Sequence, residues 1–121
     1  MANTFKVVNF AAEPASAGTP YVMYTVAGST TTVVLGLILT NIHSSAITVE
    51  VELNSDTANR AVTNNTANGI SFLVKDVTIP AGSSLELLSG GKVVLEATDA
   101  LRIDCSVADK ISGTLSVMEI T

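Results

Sequence analysis

The sequence predicts an all-β fold, a single antiparallel β-sandwich of about eight strands with a jelly-roll-like arrangement. Three observations carry this. Apolar and polar residues alternate with period two along most of the chain, β-branched residues occur throughout, and no long segment has helical periodicity. Turn-forming clusters of Gly, Pro, Asn, Asp and Ser punctuate the runs at intervals of about 8–12 residues, the spacing of sandwich proteins.

The elements follow in order. FKVVNF opens the series, and AAEPASAGTP (Ala11–Pro20) reads as a Pro/Ala/Gly connector. Residues 1–20 are therefore expected to be an N-terminal strand and extended arm, ahead of a sandwich domain over 21–121. YVMYTVA (Tyr21–Ala27) is the next strand, closed by Ala27-Gly28-Ser29. TTVVLGLILTNI (Thr31–Ile42) is apolar on both faces. Strict alternation puts Val33, Leu35, Leu37 and Leu39 on one side and Val34, Ile38 and Ile42 on the other. Gly36 between them marks a bulge or a close backbone approach. Such a strand is central, or its outer face is covered by a neighbour.

Beyond His43-Ser44-Ser45, AITVEVEL (Ala46–Leu53) sets Ile47, Val49, Val51 and Leu53 against Thr48, Glu50 and Glu52, one dry face and one wet. NSDTANRAVTNNTANG (Asn54–Gly69) is polar and longer than the loops of compact domains usually are, a length typical of binding loops or disordered segments. ISFLVKDVTI (Ile70–Ile79), SLELL (Ser84–Leu88) and KVVLEA (Lys92–Ala97) come next, divided by Pro80-Ala81-Gly82 and Ser89-Gly90-Gly91. At the first divide Pro80 limits φ, Gly82 supplies conformational freedom, and Ser83 and Ser84 can bond the turning backbone. ALRIDCSV (Ala100–Val107) opposes Leu101, Ile103, Cys105 and Val107 to Arg102, Asp104 and Ser106, and ISGTLSVMEI (Ile111–Ile120) closes the chain.

Composition narrows the function classes. The net charge is −5, and the six basic residues are scattered rather than gathered into a stripe, so direct nucleic-acid binding is not expected. Hydrophobic residues make up 47% and charged residues 14%, where soluble domains usually carry about 25% charged. A Thr/Ser-rich β protein with a neutral surface would account for this. The alternative is that other subunits cover part of the surface. The longest apolar run, Val33–Leu39, falls far short of the ~20 residues of a spanning helix, and no secretory h-region stands near the start, so neither membrane nor that export route is expected.

Candidate chemistry is sparse. His43 is the single histidine and reads as a turn residue, while Cys105, the single cysteine, reads as a small core hydrophobe. Glu50, Glu52, Glu86, Glu96, Asp99 and Asp104 read as a solvated face rather than a carboxylate pair or calcium site. With no Trp, two Tyr and three Phe, exposed aromatic platforms for sugars have little material, although the Asn-rich loop remains a candidate. No cofactor is expected.

YTVAGSTTTVVLGLILTNIHSSAITVEVEL followed by VTIPAGSSLELLSGGKVVLEATDALRI resembles small β-sandwich proteins of tailed bacteriophage particles. The similarity spans Tyr21 to Ile120 as a pattern of strands and corners, with no active-site residues to carry over. The resemblance implies a non-enzymatic virion subunit on the capsid surface or tail, made in the host cytoplasm. A capsid decoration (cement) protein comes first, partnered by copies of itself and by the major capsid protein. A neck, tail or baseplate subunit is the alternative, and a host-glycan recognition module using loop 54–69 is a third. Candidate interface residues are Phe5, Phe10, Val34, Ile38 and Ile42, with Asn59, Arg60, Asn64 and Asn65 in the loop.

Overall fold

A computed structural model of the chain describes residues 2–55, 69–88 and 90–121. Its strands are β1 (Asn3–Glu13), β2 (Tyr21–Thr25), β3 (Thr31–Asn41), β4 (Ile47–Asn54), β5 (Ile70–Ile79), β6 (Ser84–Leu87), β7 (Val93–Leu95), β8 (Ala100–Cys105) and β9 (Ile111–Ile120). They build two antiparallel sheets packed face to face. One has the order β1-β9-β3-β6, with β7 on the same edge of β3 as β6; the other has the order β2-β8-β4-β5. The links β1–β2, β2–β3, β3–β4, β5–β6, β7–β8 and β8–β9 all pass from one sheet to the other, which is jelly-roll topology.

Alternation places the core where unbroken strands predict it. Ile47, Val49 and Val51 from β4 and Leu101, Ile103 and Cys105 from β8 meet Leu37, Leu39, Ile111, Leu115 and Val117 from the facing sheet. Burial raises the Cys105 thiol pKa, as expected of a core cysteine.

Three expectations need correction. The expected N-terminal strand runs past Phe10 to Glu13, into residues read as connector, and pairs with β9 from Asn3 onward. Glu52 is buried instead of wet, its carboxylate 3.2 Å from the Arg102 guanidinium across the β4–β8 ladder. The third concerns β3. Val34 opposes Val117 and Gly36 opposes Ser116, so Leu35 is an extra residue. This bulge shifts the alternation by one, and Thr32 and Val34 point inward before it while Leu37, Leu39 and Asn41 do so after it.

Polar ties close both ends of the sandwich. At one end the Pro80 carbonyl accepts from Ser83 N at 3.1 Å, with Gly82 at φ +70°, a type II turn that carries the chain between sheets. At the other, Tyr24 donates to Glu119 Oε2 at 2.6 Å and lies 2.8 Å from the Thr32 hydroxyl, while Lys6 Nζ stands 2.7 Å from Glu119 Oε1. The Lys6 ammonium, then the Tyr24 hydroxyl, hold the Glu119 carboxyl below its ordinary value of 4.5. A depressed folded pKa stabilises fully above the unfolded value, and that stabilisation is lost as pH falls through the folded one. Burial first, and Glu119 second, push Tyr24 up to about 12 from 10.0, so its contribution is complete below pH 10 and fades toward 12. Glu119→Gln should therefore flatten the acid limb of a stability–pH curve measured by urea unfolding. Identical acid limbs in the two proteins would rule this tie out.

Candidate interaction face

The two outer faces of the sandwich differ in character. On the β2-β8-β4-β5 sheet, register aligns Val22, Arg102, Glu52 and Phe72 in one row across all four strands. Glu50 faces Asp104 in the next, with Lys75 2.8 Å from Glu50 and 4.6 Å from the centre of the Phe72 ring. A hollow of about 210 Å³ opens there, lined in part by Glu50, Asp76, Asp104 and Gly18. Asp104 Oδ1 already accepts from the Gly18 and Cys105 backbone N–H groups at 3.1 and 2.8 Å. Among the described residues no group of His, Cys, Asp and Glu is arranged to hold a metal ion.

The outer face of the β1-β9-β3 sheet is nearly uncharged and carries one wholly apolar row. Phe5 of β1 aligns with Met118 of β9, Met118 with Val33 of β3, and Val33 with Val94 of β7. Because Val34 and Val117 point inward, their neighbours Val33 and Met118 point out. Phe5 is 71% exposed and Val94 60%. The next row is Val7, Ser116 and Gly36, and the one after it Asn9, Thr114, Ile38 and Glu86. Of the strand residues that the register places on this face, Glu86 alone is charged. A contiguous apolar row with exposed ends on a nearly uncharged sheet face is a surface suited to protein contact.

The candidate interface residues separate on this geometry. Phe5 and Ile38 lie on the apolar outer face, and Ile42 is exposed one residue past the end of β3. Val34 is fully buried, because the bulge turned it inward, and it is removed from the candidate surface. Phe10 is half-buried: it packs on the core, meets Tyr21 edge-to-face at 5.2 Å between ring centres, and so serves the interior. Asn59, Arg60, Asn64 and Asn65 lie outside the described residues, as does most of loop 54–69. Sequence reasoning missed Val7, Val33, Met118 and Val94. The signal for Met118 was available, since Leu115 and Val117 set the inward phase of β9. For Val33 it was hidden by the bulge.

No family model matches the chain, and no match is found among curated proteins or solved structures.

Proposed function

We propose that this chain is a non-enzymatic structural subunit of a tailed phage virion, acting first as a capsid decoration protein that docks through the outer face of its β1-β9-β3 sheet. The observation that carries the docking role is the four-strand row Phe5–Met118–Val33–Val94 on a nearly uncharged face of a chain with net charge −5. Burying a large apolar side chain such as Phe5 against a neighbour contributes about 1.5–3 kcal/mol, and the row offers several such groups at once. Added to the seams of a shell, that contact raises the free energy needed to part the subunits. The strand-and-corner resemblance supports the virion; a neck, tail or baseplate position is the second reading.

Quantitative mass spectrometry of particles from the same genome tests this directly. Decoration expects on the order of hundreds of copies per particle, matching repeated shell symmetry. A handful of copies would move the chain to the neck or tail, and its absence would overturn the virion assignment. Phe5→Asp should sharply reduce incorporation while leaving the purified chain folded, since Phe5 is mostly in solvent.

A further inference from the structure

We infer that a second copy of this chain covers the outer face of the β1-β9-β3 sheet in an isologous, face-to-face dimer, an inference that rests on the docking role of that face and names its occupant.

Charge distribution directs the self-contact there. A chain of net charge −5 repels its own copies, so two copies can approach only where the acids are not. Glu50, Asp76 and Asp104 gather on the outer side of the opposite sheet, and stacking two such faces would oppose like charges. The β1-β9-β3 face brings no such conflict to its centre, because its single strand charge, Glu86, sits on the β6 margin.

The size fits as well. β1 and β3 have eleven residues each and β9 ten, with β6 and β7 sharing the fourth place. At about 3.4 Å per residue and about 4.8 Å between strands, the face measures about 650 Å². Two such faces bury about 1,300 Å² together, within the standard range of about 1,200–2,000 Å² for a specific interface.

Relief specifies the fit. The ridge Phe5–Met118–Val33–Val94 runs beside a trough where Ser116 and Gly36 face each other on the two central strands. Gly36 follows the β3 bulge, yet neither a clash nor a left-handed φ within the chain excludes a side chain there. A Cβ built on it meets no heavy atom within 4 Å, and its φ is not in the left-handed region. Bare backbone at such a place admits the close approach of another surface. A twofold axis lying in the interface between the two sheets, parallel to the ridge and midway between ridge and trough, seats Met118 and Val33 of each copy over Ser116 and Gly36 of the other. The same contact is then made twice, as isologous symmetry requires. Sheets stacked this way lie about 10 Å apart, with strands within about 30° of parallel.

The test uses the full chain. Sedimentation velocity at micromolar concentration should show a dimer. Gly36→Val fills the trough with a residue that suits a strand and has open space within its own chain. It should leave the far-ultraviolet circular dichroism spectrum unchanged and weaken the dimer by at least about tenfold. Ser116→Cys gives a second readout, because Cys105 is buried and the new thiol is the accessible one. A short bis-maleimide should join two Ser116→Cys chains and should not join Thr78→Cys chains, whose thiol lies on the opposite sheet. A monomer at tens of micromolar, an odd-numbered oligomer, a dimer indifferent to Gly36→Val, or cross-linking at position 78 but not 116 overturns the inference. A monomer whose Gly36→Val variant fails to enter particles overturns the second copy and leaves the docking role standing. A monomer whose variant enters particles normally overturns both.

Discussion

Asn41→Leu should lower the unfolding free energy by about 3 kcal/mol, a large share of the 5–15 kcal/mol typical of a domain. Asn41 ends β3, opposite Ile111, and is almost fully buried. Its Nδ2 donates to the carbonyls of Ser45 and Ile79, each at 2.9 Å, and its Oδ1 accepts from His43 N at 2.7 Å. The Asn41 backbone N–H also donates to Ser83 O at 2.9 Å. One amide thus holds the β3–β4 corner, and both the side chain and the backbone reach the corner between β5 and β6. Leucine matches the size and supplies no polar atom, leaving two carbonyls and one N–H without their partner, at about 1–3 kcal/mol for each buried group. Asn41→Asp should lose comparable stability at neutral pH, because an ionised carboxylate cannot donate to carbonyls, and regain part of it as acid restores one donor. Urea unfolding at two pH values measures both. A loss under about 1 kcal/mol for Asn41→Leu would mean that other groups hold the corners.

The second large effect is expected at Gly113. This residue sits in β9 directly opposite Phe10 of β1, and its φ is not left-handed, so conformation does not explain it. Space does. A Cβ there would stand inside the van der Waals surface of Phe10, 2.5 Å from Cε1, and 3.2 Å from Leu39 Cδ2. Phe10 cannot settle elsewhere without losing its contact with Tyr21 and the core. Gly113→Ala should therefore expel the ring and cost about 2 kcal/mol, the burial it gives up. In a Phe10→Ala background the same substitution should be nearly neutral, because the obstacle is gone and alanine restricts the unfolded chain more than glycine does. The two changes should then depart from additivity by about 1–2 kcal/mol. Additive costs would show that the clash with Phe10 is not the reason for glycine.

Local chemistry made much of this fold legible. Strand-forming runs and turn clusters are properties of neighbouring residues, and each of the nine described strands overlaps a run that the sequence marks as a strand. Pro80-Ala81-Gly82 behaves as its residue types require, with the positive φ at Gly82. Errors arose where a strand departs from the simple pleat or a residue answers to a distant partner. The β3 bulge reversed the side assigned to Val34. Glu52 is dry because Arg102, fifty positions later, stands across the ladder from it. Tyr24 and Glu119 are 95 positions apart, and neither carries a local mark of the other.

The sequence by itself determined where most strands and turns lie and which residues of β4 and β8 face inward, because pleat geometry is set by adjacent residues. Only the tertiary structure decided the phase of β3 beyond Val34, the binding duties of Asn41, the open surface at Gly36 and the close approach of Phe10 at Gly113. It also assembled Phe5, Met118, Val33 and Val94 into one row. Those four come from four strands, and the register that aligns them is fixed by ladders between distant segments, which no periodicity within one strand records.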